Sequence, residues 1–269
     1  MPVKLGWGYN SGVEGDLSSF ETFKKIIARL RAPDGCPWDR RQTHGSLKPY
    51  LIEEAYEVVQ ALDRGDHQKL CEELGDLLLQ IGLHSQIAAE AGEFEMADVI
   101  RGINEKLIRR HPHVFGNLKL AEADEVPFLW EELKKKEGKE GSILDSVPQE
   151  TPALARSQLL QERAARVGFD WQKVEGVLDK VVEELQELKE ADSPLQKVRE
   201  FGDLLFALAN YARWIGLDLE AALRSANERF YRRFTRMEEL CQERGLSMEK
   251  LSLEELDALW EEAKRLEET

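Results

Sequence analysis

The 269-residue chain is predicted to be all-α. Three observations predict this. Apolar residues recur at spacings of three and four along most of the chain, and the alternation expected of strands is absent. Charged residues make up 33 % of it, aromatics 8 %, and prolines number only nine. That composition suits helices with one solvated face.

Each element follows from its own pattern. Asp16-Leu17-Ser18-Ser19 precedes Phe20, Phe23, Ile26, Ile27 and Leu30, the signature of a capped amphipathic helix. Residues 31–43 carry Pro and Gly and read as a loop. A second helix runs over 46–63, with Leu47, Leu51, Ala55, Val58 and Leu62 on one stripe. After the turn at Arg64-Gly65-Asp66, a third places Leu70, Leu74, Leu77, Leu78 and Ile81 inward. A fourth starts near Met96 and stops at His111-Pro112, because the residue before proline disfavours helix. A short helix over 127–136 closes the first half. Residues 137–152 read as a linker. The second half repeats the plan, with helices over 152–167, 173–191, 194–215, 218–244 and 253–267.

The net charge of −15 leaves no broad basic field for coating a nucleic-acid polymer. No apolar run of about 18 residues is present, so no membrane span is expected. The N-terminal stretch lacks the apolar segment of a secretory signal. Cys36, Cys71 and Cys241 show no C-x-x-C spacing and cannot all pair, which fits a reducing cytoplasm.

The same acidic pattern is written twice. Glu53, Glu54 and Glu57 are followed by Glu73 and Asp76; Glu183, Glu184 and Glu187 are followed by Glu200 and Asp203. Residues three apart share a helical face. If the short connection makes each helix pair antiparallel, four carboxylates converge in each half: Glu54, Glu57, Glu73 and Asp76, then Glu184, Glu187, Glu200 and Asp203. Hard divalent cations relieve their repulsion, and all-oxygen ligands suit Mg²⁺, with Mn²⁺ as a substitute. Glu53 and Glu183 lie about 100° further round their helices and are candidate catalytic bases. Gly75 and Gly202 sit inside helices at a cost of about 1 kcal/mol each, which suggests close approach of a backbone or ligand. The bland alternative, a solvated glutamate-rich face, fits one copy better than two.

Basic and aromatic residues repeat too. Lys106, Arg109 and Arg110 correspond to Arg229, Arg232 and Arg233. They could grip phosphate oxygens or pair with nearby glutamates. Trp130 with Lys134, and Trp260 with Lys264, are spaced four apart and could cap a nucleoside or anchor a helix to the core. Trp38, Phe169 and Trp171 precede the acidic helices as candidate stacking residues.

The chain resembles the MazG family of nucleoside triphosphate pyrophosphohydrolases, in the form with two tandem domains. The resemblance is carried by the paired acid blocks, Gly35-Cys36-Pro37-Trp38-Asp39, Arg109 to Gly116, Ala165 to Trp171 and Asn227 to Phe234. It implies tandem helical-bundle domains of the all-α NTP pyrophosphatase type, over 18–136 and 153–269 after a tail at 1–17. It also implies a Mg²⁺-dependent house-cleaning hydrolase, usually a homodimer. Water activated by the metal would attack between the α and β phosphates of an NTP or dNTP, releasing monophosphate and pyrophosphate. By the resemblance, the two acid sets hold metal. The basic residues and tryptophans of each half contact nucleotide. Broad base specificity is expected because stacking tolerates many bases. The rivals are a non-catalytic nucleotide-binding regulator and, more weakly, a di-iron protein. The latter usually needs Glu-x-x-His pairs, and the second half has no histidine.

Overall fold

Helices form where the periodicity places them, and local chemistry sets their ends. The computed structural model describes residues 15–118 and 141–267, together with positions 126, 129 and 133. Among these residues every regular element is helical. The chain divides into two compact units, residues 1–126 and 127–269.

The first unit holds α1 (Phe20–Arg31), α2 (Pro37–Arg41), α3 (His44–Arg64), α4 (His67–Ala91), α5 (Met96–Arg110) and α6 (Pro112–Phe115). α2 lies inside the stretch expected to be loop. Proline at its first position supplies a preset φ and needs no hydrogen-bond acceptor there. α3 opens on a reciprocal cap: Ser46 N donates to Thr43 Oγ1, and Thr43 N donates to Ser46 Oγ. Gly65 ends it in the left-handed region at φ 65°, and the Asp66 carboxylate caps α4 by accepting from Gln68 N and Lys69 N. So tight a turn folds α4 back against α3. Ile27, Leu47 and Leu83 form the core, with Phe23, Leu30, Leu79 and Ile87 around it.

The second unit holds α7 (Ala153–Ala165), α8 (Val174–Glu190), α9 (Pro194–Trp214), α10 (Leu219–Glu243) and α11 (Leu253–Glu267). Ser193 caps α9, with proline at the first helical position, so α8 and α9 also form a tight hairpin. A second core gathers Met237, Leu240, Cys241, Leu259 and Ala263 between α10 and α11. The stretch expected as a linker carries a 3₁₀ turn over Ile143–Ser146 and buries Val147. Most of the helix expected over 127–136 lies outside the described residues.

One expectation is reversed. Leu74, Leu78 and Ile81 of α4 were expected to point inward, but they are exposed, as is Leu62 of α3. Glu73, Gln80 and Leu83 take the buried face instead. The hairpin packs around its acids near Glu73, and the leucines beside them look outward. α9 behaves in the same way, leaving Leu195, Val198 and Phe201 exposed.

The helical glycines also separate. A Cβ at Gly82 would stand 2.7 Å from Phe23 Cζ, so that glycine is needed for α1 to approach α4. A Cβ at Gly75 or Gly202 would meet no other described part of the chain within 4 Å, so neither reflects the approach of another described backbone. We expect Gly75→Ala and Gly202→Ala each to raise stability by up to about 1 kcal/mol through helix propensity. Gly82→Ala should lower it by about 1–3 kcal/mol through overpacking. Urea unfolding of the three variants checks both signs.

Candidate active site

The α3–α4 hairpin brings Glu54, Glu57 and Glu73 together, with one carboxylate oxygen from each lying within 4.8 Å of the others. The α8–α9 hairpin does the same for Glu184, Glu187 and Glu200. Asp76 stands outside the first trio but is close enough for its charge to act on Glu54. Asp203 stands outside the second, yet lines the same cleft of about 420 Å³ as Glu184, Glu187 and Glu200. Three of the four expected ligands therefore converge in each half, and the aspartate lies alongside.

These carboxylates are under electrostatic load. Glu73 is only 1 % exposed and Glu184 5 %. Burial raises the Glu54 pKa above the usual carboxylate range, with help from the charges of Asp76 and Glu73. Close approach to the Glu73 carboxylate, followed by its charge, raises Glu57. Burial and then the charge of Glu184 raise Glu187. Glu73 moves down instead, because the Lys69 ammonium is beside it. Gln80 also hydrogen-bonds Glu54.

Lys69 and Lys180 were not anticipated from the sequence. Lys69 Nζ lies 2.5 Å from Glu73 Oε1, one helical turn away on α4. Lys180 Nζ lies 2.6 Å from Glu184 Oε1 and 2.8 Å from Glu183 Oε1, on α8. Hydrogen bonds to these carboxylates push both ammonium pKa values up, first from Glu73 for Lys69 and from Glu183 for Lys180. The spacing of four before each buried glutamate was the available signal. Each lysine leaves an oxygen behind: Glu73 Oε2 and Glu184 Oε2 are buried with no hydrogen-bond partner. A buried carboxylate oxygen with no donor fits a hard cation, as does the all-oxygen donor set.

The second unit adds a cavity of about 800 Å³ beside its acids. Its walls include Leu160, Phe169, Trp171 and Phe206, and it shares Lys180, Glu184 and Asp203 with the acidic cleft. Trp171 is seated against α8 where Gly176 leaves room; a Cβ there would meet its ring at 2.8 Å. Asp170 anchors the preceding turn. Burial pushes its pKa up, but hydrogen bonds from Arg213, Trp171 N and Trp214 Nε1 outweigh this and hold it below the usual range. The cavity described in the first unit is smaller, about 260 Å³, and is lined by α1, α4 and α5 residues such as Phe23, Ser85 and Met96. Trp38 sits in α2 rather than a loop, edge-on to Tyr50 at 5.9 Å.

The expected basic residues gather elsewhere. Arg232 and Arg233 both donate to the Glu267 carboxylate, at 2.8 and 2.7 Å. Arg233 also lies over Trp260, whose ring meets Phe230 at 5.4 Å. Arg229 donates to Ser225 Oγ, and Lys264 lies 3.8 Å from Glu261. This cluster belongs to α10 and α11; the cleft and the cavity beside the acids are lined by other residues. Lys106, Arg109 and Arg110 occupy the end of α5. Trp130 and Lys134 lie outside the described residues. Glu53 is exposed, and its charge acts on Glu54; Glu183 is half-exposed and engaged by Lys180.

A helical hairpin that closes around carboxylates recurs in the second unit, there with an aromatic cavity alongside. Comparison with known proteins specifies the family. The family model described as MazG nucleotide pyrophosphohydrolase domain matches residues 42–115. A Thermotoga maritima protein named nucleoside triphosphate pyrophosphohydrolase/pyrophosphatase MazG is 49 % identical over 252 residues, covering 93 % of this chain and 97 % of that protein. The Escherichia coli K12 nucleoside triphosphate pyrophosphohydrolase is 42 % identical over 260 residues, covering 93 % and 99 %. The crystal structure of a mazG-related protein from Thermotoga maritima aligns with 43 % of this chain and 98 % of its own, at 30 % identity and TM-score 0.38. The chain belongs to the MazG family of nucleoside triphosphate pyrophosphohydrolases and is an enzyme of that kind.

Removing either lysine leaves a buried carboxylate without its counter-charge. We expect Lys69→Met and Lys180→Met to lower Tm in cation-free buffer. Saturating Mg²⁺ should narrow the gap to the parent protein. A gap that ignores Mg²⁺ would mean that the lysines serve packing alone.

Proposed function

We propose that the second unit converts nucleoside triphosphates, ribo- and deoxyribo-, to monophosphate and pyrophosphate. The observation that carries this is the shared wall. One side of Lys180, Glu184 and Asp203 faces the acidic cleft, and the other faces a nucleoside-sized aromatic cavity. The base and sugar enter the cavity between Trp171, Phe169 and Phe206, where stacking tolerates many bases and broad specificity follows. The triphosphate then lies toward the acids. Glu184, Glu187, Glu200 and Asp203 hold Mg²⁺, with Mn²⁺ as a substitute; Glu54, Glu57, Glu73 and Asp76 are the first-unit set. A divalent cation held there offsets triphosphate charge and lowers the pKa of water. Glu183 orients the attacking water and accepts its proton while Lys180 steadies it, and Glu53 is its first-unit counterpart.

Turnover belongs to the second unit in this reading. Matching Gly35 with Gly168 and Trp38 with Trp171 sets Arg31 opposite Ala164, a residue of the cavity wall. The Arg31 side chain is only 6 % exposed, and it bonds Glu90, Asp39 O and Gln42 O. A large pinned side chain stands where the second unit has a methyl group. We assign two tandem MazG-like domains, 18–136 and 153–269. Arg229, Arg232, Arg233, Trp260 and Lys264 serve as nucleotide contacts, Arg232 and Arg233 once Glu267 releases them, with Lys106, Arg109, Arg110, Trp130 and Lys134 in the first domain. Exposed apolar faces on α4 and α9 support a homodimer. Three free thiols fit a cytoplasmic housekeeping enzyme.

Glu184→Ala or Asp203→Ala in the full chain should cut pyrophosphate release about a hundredfold or more. Glu54→Ala should keep most of it. The reverse ranking would move turnover to the first unit. Nucleotide binding without pyrophosphate release by the parent protein would favour a regulator.

A pH dependence follows from the raised Glu54, Glu57 and Glu187. A carboxylate raised in the fold holds its proton where an unfolded one has lost it. Its contribution to stability is present at low pH and disappears as pH climbs through the raised pKa. A cation competes with those same protons. The Mg²⁺-induced rise in Tm should therefore be larger at pH about 7.5 than at pH about 5, measured by calorimetry.

A further inference from the structure

We propose that Gln161 determines base preference by accepting a hydrogen bond from an exocyclic amino group of the nucleotide. This rests on the second-unit reading above and refines its broad specificity.

Two glutamines on α7 show the contrast. Gln158 is satisfied at both ends: Nε2 donates to Leu217 O at 2.8 Å, and Oε1 accepts from Leu219 N at 2.8 Å. It ties α7 to the start of α10. Gln161, almost one turn on, is equally buried at 8 % exposure. Its Nε2 donates to Phe206 O at 2.8 Å. A backbone carbonyl can only accept, so this bond fixes which way the amide faces. Oε1 is left buried with no partner. An orphaned buried carbonyl is costly to keep and needs an explanation.

The explanation lies in where it stands. Gln161 lines the aromatic cavity, among Leu160, Ala164, Phe206 and Ala207. Those neighbours supply apolar area, and the cations on the same wall are engaged elsewhere: Lys180 by Glu183 and Glu184, and Arg213 by Asp170 and Asn210. No described residue donates to Oε1, and a ligand in the cavity would bring that donor itself. An exocyclic amine on the edge of a base is a donor that can meet this acceptor. Adenine and cytosine carry such a group in place of the carbonyl of hypoxanthine and uracil. Stacking admits every base, and Gln161 grades them.

The test uses the full chain carrying Glu54→Ala, so that the second unit reports, with Mg²⁺ and two substrates. ATP and purine riboside 5′-triphosphate differ only by the 6-amino group. We expect kcat/KM to favour ATP about tenfold or more, the value of one buried hydrogen bond. Gln161→Leu should bring the ratio close to one. Equal kcat/KM for the two substrates in the Glu54→Ala chain overturns the proposal while leaving the hydrolase reading intact, and needs no Gln161 variant to fold. An unchanged ratio in a folded Gln161→Leu overturns it too. Absence of pyrophosphate from both substrates removes the second-unit reading and this proposal with it.

Discussion

A carboxylate buried between two helices is the constraint from which the rest of this structure follows. Moving an ionised carboxylate out of water costs several kcal/mol unless a partner compensates. Glu73 and Glu184 are nearly inaccessible, and each has an ammonium group against one oxygen and only neighbouring carboxylates to meet the other. Neighbouring acids cannot share that relief, so Glu54, Glu57 and Glu187 hold their protons more tightly instead. Without a cation, each cluster is a half-neutralised charge. That is an arrangement suited to gaining a cation, because binding relieves a strain already present in the fold.

The same constraint inverts the helices around it. A hairpin whose inner seam is occupied by acids cannot also use that seam for its leucines. Leu74, Leu78 and Ile81 on α4, and Leu195, Val198 and Phe201 on α9, therefore face outward. Contiguous exposed apolar faces of this kind mark association surfaces in soluble proteins. The acidic seam inside the hairpin and the apolar face outside it are two consequences of one packing decision.

Much of this was legible in the sequence, for identifiable reasons. Helix bounds were legible because caps and breakers such as Thr43, Gly65, Asp66 and Pro194 act locally. The acid clusters were legible because a spacing of three fixes a shared face whatever the tertiary context. The buried face of α4 was misread because periodicity shows where the leucines lie and not which face the neighbour takes; the neighbour took Glu73 and Gln80. Lys69 and Lys180 went unnoticed because i, i+4 ion pairs on surfaces usually matter little, and here burial of one partner changes that. The cavity could not be read at all. It depends on Trp171 folding back onto Gly176 and on α7 meeting α9, the latter a contact between residues far apart in sequence.

The two copies show which parts of the plan are constrained and which are free. Both bury a glutamate in the hairpin, yet the counter-charge comes from a different helix in each: from the second helix through Lys69, and from the first through Lys180. By alignment of the acid blocks, Lys180 falls opposite Tyr50 and Lys69 opposite Gln196, so neither lysine has an equivalent in the other copy. A positive charge near the buried oxygen is what the fold demands, and either wall of the hairpin can provide it. The space next to the acids is under no such electrostatic demand. One copy pins Arg31 to Glu90 where the other keeps Ala164 and an open cavity. The charge balance, which the fold cannot lose, therefore recurs in both units, and the space beside the acids, which is under no such demand, differs between them.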